Sequence, residues 1–326
     1  MKVVVSVPSR VHMTLIELGL HGYRRNGGIG FAVEAPSRHL EFARASAFDL
    51  GSLAGLGFTP EEVGQLSVTL AEAQSRHHLT DAAALLCATG PGRHVGTGSG
   101  TAVTLACLEA LFCLNRVSVE PAELIRLSGR GGTSGIGIHT YFDGGFVVDV
   151  GRQFDTQTIA PSDDIQRPTH PATLLARYSM PPWRIGLLLP SCPPLTLNQE
   201  RGVFASLATD PISPADVHEI AYHSMFGATA AVAASDFHGF CDAVNALQRT
   251  AWKRREIAIY GAPVASVMGR MRELGCDCVG LSSMGPGLYF LAADFDRVMD
   301  ALREQFPDAD IVSTVAANRG REIHDA

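Results

Sequence analysis

Glycine stands at every second position of Gly96-Thr-Gly-Ser-Gly-Thr101, and an apolar run, Ala-Val-Thr-Leu-Ala-Cys-Leu-Glu-Ala-Leu-Phe112, follows without a break. The glycines let successive backbone N–H groups converge, and the run predicts a buried helix whose N-terminus adds its positive dipole end. Gly96, Thr97, Gly98, Ser99, Gly100 and Thr101 are therefore expected to cradle an anion, typically a phosphate. Ser99 and Thr101 add hydroxyl donors or ligands to a magnesium ion. No lysine follows the last glycine, so the loop is not a Walker A sequence, and its spacing is not that of a dinucleotide fingerprint. A tight turn packed for steric reasons is the plain alternative.

Charge bears directly on that expectation. The 326 residues carry a formal net charge of -7, so no global field draws the chain to nucleic acid or to an anionic membrane. A bound phosphate must instead be held by local loops and a few arginines. No apolar run approaches the roughly 18 residues of a membrane span, and MKVVVSVPSR reads as a first strand rather than a leader. Seven cysteines without framework spacing fit reduced thiols in a cytoplasm. Cys276-Asp-Cys278 lies in an apolar run and reads as a buried strand rather than a metal site.

Length suits one large domain or two moderate ones. A strand is expected from Lys2 to Val7, ending at Pro8. Thr59-Pro-Glu-Glu62 predicts a helix with Thr as N-cap, running to about His78. Helices are also expected over 119–127, most of 214–255, 263–274 and 295–305. Strands are expected over 146–150, 185–189, 276–281, 287–292 and 311–315. The order of the last elements is that of a split β-α-β unit. The stretch 156–182, rich in Pro, Thr, Ser and Asp, is the expected domain junction or long surface loop.

Four further stretches could carry chemistry. In Pro8-Ser-Arg-Val-His12, Arg10 and His12 share a face if the chain stays extended, and either could meet a phosphate, with His12 also able to act as acid or base. Tyr23-Arg-Arg-Asn-Gly27 sets two arginines before an Asn-Gly pair, which reads as anion recognition or as a simple hairpin turn. Gly280-Leu-Ser-Ser-Met-Gly-Pro-Gly287 joins two strands and could close over a ligand. Between them, GRGGTSGIGIHTYFDGGF (129–146) reads as a glycine-rich active-site loop whose acid, Asp143, comes late.

PSRVHMTLIE, GTGSGTA before a helix, TSGIG before a GGF strand, and GLSSMGPGLYFLA together resemble, in order, the motifs of the GHMP kinase superfamily, over nearly the whole chain. The resemblance implies an α+β, two-domain fold: an N-terminal ribosomal-S5-like α/β domain over 1–160 and a C-terminal ferredoxin-like domain over 161–326, with ligand in the cleft between them. RRNGGIGFAVE and GRGGTSGIGIHTYFDGGFVVD narrow the likeness to the β-ribofuranosylaminobenzene 5′-phosphate synthase branch, which includes the formycin and pyrazofurin C-nucleoside synthases. Members of that branch join phosphoribosyl pyrophosphate to a ring carbon of 4-aminobenzoate, or of a pyrazole carboxylate, with loss of CO₂ and pyrophosphate. GHMP kinases commonly read G-x-P-S-G-x-D in the opening loop. Here the acid position is Gly137, and Thr133 replaces the proline, which disfavours a kinase without removing it as the alternative. A non-catalytic binding protein is the third reading.

By the same resemblance, 96–101 takes the donor pyrophosphate, Thr133 and Ser134 lie near the reacting carbon, and Thr133, Ser134 and His12 are the implied catalytic residues, His12 being also a candidate for the 5′-phosphate or the acceptor carboxylate. Ser9, Arg10, Arg24, Arg25 and Asn26 are implied for the 5′-phosphate or the acceptor carboxylate, and Ser282, Ser283 and Gly285 for closing the cleft. Magnesium is the implied cofactor, with Glu17 and Asp149 as candidate ligands, or with the ion held mainly by donor oxygens and water. A cytoplasmic homodimer is implied, with neither nucleic acid nor membrane as partner. The adjacent acids Asp163-Asp164 lack the small-residue loop of classical phosphoribosyltransferases, so such a donor would be bound by another architecture.

Overall fold

The structure is a computed structural model that describes all residues except 20, 21, 94, 154–158, 162, 163, 165–167, 169, 191, 194 and 326. In chain order it opens with β1 (Lys2–Glu17), β2 (Arg24–Ala45), α1 (Pro60–Arg76) and β3 (Ala82–Thr89). There follow α2 (Ser99–Leu114), α3 (Pro121–Ser128), α4 (Ile136–Asp143), β4 (Phe146–Asp149) and the short β5 (Arg152–Gln153). Next come β6 (Leu174–Tyr178), β7 (Ile185–Leu189), α5 (Leu197–Ser206), α6 (Pro214–Tyr222), α7 (Ala230–Ala234), α8 (Phe237–Leu247), α9 (Ala251–Ile259) and α10 (Ala262–Glu273). The chain closes with β8 (Cys278–Leu281), β9 (Leu288–Leu291), α11 (Phe295–Gln305), β10 (Asp310–Thr314) and β11 (Glu322–Asp325).

Two sheets organise these elements. The larger runs β11-β1-β2-β4-β6, and the long β2 also pairs with β3 and β5. The smaller runs β10-β7-β9-β8 and is antiparallel throughout. Strand β6, past residue 160, still pairs with β4, and β11 returns to the edge of β1. Part of the stretch expected as a junction (156–158 and most of 162–169) lies outside the described residues.

Local chemistry accounts for most elements. Thr59 caps α1 in a reciprocal capping box with Glu62, and Pro60 occupies the first turn. On α11, Phe295, Val298, Met299 and Leu302 form one buried stripe at helical spacing against the small sheet. Each such side chain contributes about 1.5–3 kcal/mol on burial. Helix α2 is apolar all round, and it is buried nearly all round between the large sheet and its neighbouring helices.

Four expectations need correction. Strand β1 does not end at Pro8: proline, which has no N–H to pair, sits at a register shift between Val7 and Ser9, and the strand continues to Glu17. Asn26-Gly27 is not a hairpin turn. Both residues have left-handed backbone (φ 65 and 78), yet Asn26 pairs with Glu17 inside β2, which begins at Arg24, before the Asn-Gly pair. The stretch 129–146 is not all loop: residues 136–143 form α4, a helix hidden from the sequence by glycines at 135 and 137. Strand β6 lies within the stretch 156–182 that reads as junction or loop.

Candidate active site

The glycine loop folds as its composition requires. Gly96 and Gly98 have φ of 91 and 76, and each also lacks room for a side chain: a Cβ would lie 2.7 Å from the Ser282 carbonyl oxygen and 2.6 Å from Arg10 Cγ, respectively. The loop is wedged between β1 and the β8–β9 connection. Arg10 donates its backbone N–H to the Thr97 carbonyl (3.2 Å), and the Ser282 hydroxyl donates to the Gly96 carbonyl (2.6 Å). Gly285 approaches so closely that a Cβ would stand 2.1 Å from the Gly96 nitrogen. The carboxyl-terminal sheet thus touches the glycine loop, which is why Ser282, Ser283 and Gly285 meet 96–101 although nearly 190 residues separate Ser282 from Gly96.

Guanidinium groups gather at this loop. Arg10, Arg93 and Arg130 line one cleft with Gly96, Gly98, Ser99, Gly100, Thr101, Ser283 and Gly285. At Gly100 a Cβ would sit 2.8 Å from one Arg93 nitrogen and 3.1 Å from one Arg130 nitrogen, so the two planes close on bare backbone. Arg93 also pairs with Glu62 and lies over the Phe58 ring. Arg130 donates Nε to the Thr101 hydroxyl (3.2 Å). Burial, and then Arg130, lower Arg10 to about 10, which leaves it a cation at neutral pH, and its Nε has no partner. Thr97 faces elsewhere: its hydroxyl and carbonyl both accept from the buried Arg38 (2.7 and 3.3 Å).

Two residues along β1 lies His12, 4 % exposed. Its backbone is clamped: the Ser283 N–H donates to its carbonyl (2.9 Å) and its own N–H donates to the Ser282 hydroxyl (3.1 Å). Both ring nitrogens are buried without a partner. Burial, then the charges of Arg10 and Lys253, hold the imidazole well below its ordinary value, so it is neutral. Behind the clamp, the ammonium of Lys253 donates to the Leu281 carbonyl (2.8 Å) and lies 2.6 Å from Glu256, all inside the core.

Across β2 the sheet joins this strand to the second loop. Gly28 pairs with Asp149, and its missing side chain leaves room for His12, whose Nε2 would be 3.3 Å from a Cβ there. Fully buried Asp149 accepts N–H bonds from Gly135 (2.7 Å) and Gly151 (2.6 Å) and lies 3.4 Å from the Ser134 hydroxyl. Burial outweighs these bonds and raises its carboxyl to about 6. Asn26 and Arg152 both donate to the Gly132 carbonyl (3.1 and 2.9 Å). Thr133 donates its hydroxyl to the Ala160 carbonyl (2.7 Å). Gly137, on α4, faces the end of the glycine loop: a Cβ would lie 3.4 Å from the Thr101 hydroxyl.

Other sequence candidates are built into the scaffold. Arg24 is taken up by the Val150 and Gly151 carbonyls and the Thr173 hydroxyl. Buried Arg25 donates to the Gly19 carbonyl (3.3 Å), and Glu17 accepts from the Gly19 N–H (2.8 Å) in the same turn. Ser9 is fully buried with its hydroxyl unpartnered. Asp163 lies outside the described residues, while Asp164 pairs with Arg201. Sequence reading missed Arg93, Arg130, Glu200, Lys253 and Glu256. Two of them had a signal, since Arg93 stands three residues before the loop and Arg130 opens GRGG; the others reach the site only through tertiary packing. No helix is long and apolar enough to cross a membrane among the described residues.

Known proteins resemble this chain along its full length in sequence and in fold. No protein-family model matches the chain. It is 29% identical over 326 residues to the β-ribofuranosylphenol 5′-phosphate synthase of Archaeoglobus fulgidus, covering 97% of each chain. It is 27% identical to the protein of that name from Methanothermobacter thermautotrophicus, covering 98% of each. Among solved structures it superimposes on homoserine kinase from Cytophaga hutchinsonii with a TM-score of 0.70 at 14% identity, over 99% of this chain and 97% of that one. Mevalonate diphosphate decarboxylase from Staphylococcus aureus gives 0.63 at 14% identity, over 99% and 98%. The fold is the two-domain GHMP-kinase fold, and the likeness drawn from the motifs holds from end to end.

Proposed function

We propose that this protein is a decarboxylating C-ribosyltransferase, which joins C1 of phosphoribosyl pyrophosphate to a ring carbon of an aromatic or heteroaromatic carboxylate. The carrying observation is the cleft itself: glycine-loop backbone and three guanidiniums converge where a pyrophosphate would sit. The acid position beside it is Gly137. Relatives at 27–29% identity along the full chain are named for a ribofuranosylphenol 5′-phosphate product, which supports ribosyl transfer.

In this reading the C1–O bond to pyrophosphate breaks with its electron pair on the leaving group, and positive charge develops on the ribose. Arg10, Arg93, Arg130 and the loop N–H groups stabilise the departing negative charge. The carboxylate-bearing ring carbon attacks C1, and the ring–carboxylate bond then breaks, returning its electrons to the ring as CO₂ leaves. No hydroxyl nucleophile has to be deprotonated, so the site needs no carboxylate base. His12, neutral among cations, serves as a hydrogen-bond partner for an uncharged group rather than as an anion receptor. Asp149 positions the 132–135 loop through Gly135.

Magnesium belongs to the reading, because it would neutralise pyrophosphate charge. Asp149 does not fit as a ligand, since its oxygens already accept two N–H groups in the core. Glu17 is engaged in its own turn. No group of three or more His, Cys, Asp or Glu side chains is placed to hold a metal among the described residues. Such an ion would take most of its ligands from the donor and water.

The acceptor is an electron-rich ring bearing a carboxylate. The relatives' name states a phenol, which puts a hydroxyl where the motif likeness suggested an amine, and a pyrazole carboxylate belongs to the same chemical class. Mass spectrometry of products from phosphoribosyl pyrophosphate, magnesium and a panel of hydroxybenzoate, aminobenzoate and pyrazole carboxylates tests the reading. A C-riboside product with stoichiometric pyrophosphate is expected; no product across the panel refutes it. A small-molecule kinase shares the fold with the homoserine kinase neighbour. It predicts a thermal shift with ATP and magnesium, and absence of that shift removes it.

A further inference from the structure

Arg38, on β2, carries its charge into the core. It is fully buried, makes no ion pair among the described residues, and leaves its Nε without a partner. Glycine makes room for it: a Cβ at Gly90 would lie 2.9 Å from Arg38 Cα and Cγ. Burial, and then the charges of Arg10 and Arg93, lower it to about 9, so it stays protonated at neutral pH. A buried cation without a counter-charge is costly, and an apolar side chain of similar volume would usually be more stable there. Its two bonds go to one residue: Nη2 donates to the Thr97 hydroxyl (2.7 Å) and Nη1 to the Thr97 carbonyl (3.3 Å).

Those bonds decide which way a peptide points. The Thr97 carbonyl also accepts the Arg10 backbone N–H (3.2 Å), so it is held from two directions. The Thr97–Gly98 peptide is trans and planar, and its Gly98 N–H therefore projects to the side opposite that carbonyl. Gly98 lines the cleft, whereas Thr97 does not. Gly98 is also the N-cap of α2 and no side chain caps that helix, so its first amides are left for an outside acceptor. From this arrangement we infer that Arg38 is a positioning residue for anion binding: it holds the Thr97–Gly98 peptide so that the Gly98 N–H faces the cleft, without itself touching the ligand. The assignment rests on the donor reading above. A guanidinium suits the task because its fork spans the Thr97 hydroxyl and carbonyl together, which an ammonium meets as a point charge.

Calorimetric titration with inorganic pyrophosphate in magnesium buffer tests this on wild type, Arg38→Met, Arg38→Lys and Thr97→Val, each checked for folding by circular dichroism. Arg38→Met is expected to bind about tenfold or more weakly than wild type. Thr97→Val, which keeps the carbonyl contact, should lose less, and Arg38→Lys should lie between wild type and Arg38→Met. Without pyrophosphate, Arg38→Met should melt no lower than wild type, because a buried cation has been removed. A role confined to holding up the fold would instead lower the melting temperature and leave the affinity of the folded protein unchanged. The direct readout is the Gly98 amide. Thr89–Gly90 and Thr97–Gly98 are the Thr–Gly pairs of the sequence, so ¹³C-threonine and ¹⁵N-glycine labelling isolates their amides, and Thr97→Val removes the second signal. That signal should move downfield when pyrophosphate binds wild type, and not when it binds Arg38→Met. Wild-type affinity in Arg38→Met overturns the assignment, as does a Gly98 signal that stays in place while wild type binds. Wild type that binds no pyrophosphate overturns the donor reading as well, so the two failures are distinguishable.

Discussion

Replacing Asp149 with Asn separates the charge of this side chain from its shape. Its carboxyl is fully buried, and burial raises it from 3.8 to about 6. At about 1.36 kcal/mol per pH unit, holding it ionised at pH 7 costs about 3 kcal/mol relative to the unfolded chain. The folded value lies above the unfolded one, so the native state binds the extra proton between them. Its contribution to stability is therefore full below 3.8 and is lost as pH rises through about 6. Asparagine removes the charge but turns one oxygen into an NH₂ group that must face the Gly135 or Gly151 N–H. A donor left against a donor in the core costs about 1–3 kcal/mol. At pH 7 the two effects nearly cancel, and the variant should match wild type in urea unfolding within about 1 kcal/mol. At pH 4 the wild-type side chain is protonated, only the donor clash remains, and wild type should be the more stable by up to about 3 kcal/mol. Unfolding curves at the two pH values, with the difference between the proteins unchanged by pH, would refute the buried titration. Turnover should fall at both pH values, because Gly135 holds the loop that carries Ser134.

His12 should keep its neutral ring across pH 6–8, visible as ¹⁵N ring shifts that do not move; a transition near 6.5 would contradict the cationic surroundings given to it. Because its folded value lies below the unfolded one, this group stabilises the fold above pH 6.5 and that contribution is lost on acidification. Lys253→Met leaves Glu256 buried without its cation and should cost about 3–5 kcal/mol in chemical denaturation, with partial recovery in a Lys253→Met/Glu256→Gln double variant. A cost under about 1 kcal/mol would show that the pair does not hold β8 in place. Gly98→Ala should be strained by about 1–2 kcal/mol and, by displacing Arg10, should weaken pyrophosphate binding in calorimetry. Gly64→Ala on α1, where a Cβ meets nothing within 4 Å, should stabilise by about 0.5–1 kcal/mol instead.

Local signals carried the reading of the elements. The Thr59–Glu62 box, the α11 stripe and the glycine loop before α2 each express an interaction within a few residues, so their composition is enough to read them. Helix α4 went unread because its glycines serve contacts rather than helix propensity: Gly135 at its N-cap leaves room for Ala172 and the helix's own His139, and Gly137 lets α4 sit against Thr101. The same cause misled the reading of Asn26-Gly27, where left-handed backbone serves a strand irregularity, and a Cβ at Gly27 would lie 3.0 Å from the Asp149 carbonyl oxygen and the Gly151 nitrogen.

The order of motifs along the chain was enough to read the two-domain fold, the place of the glycine loop before α2 and the glycine at position 137. Tertiary structure alone decided which charges face that loop. It brought Arg93, Arg130 and Glu200 into the cleft with Arg10, committed Arg24 to backbone carbonyls, and moved Asp149 from candidate metal ligand to buried clamp. Backbone conformation is largely a matter of near neighbours, and residue types report it. The ionisation and availability of a side chain depend on everything packed around it, and here that includes residues nearly two hundred positions away.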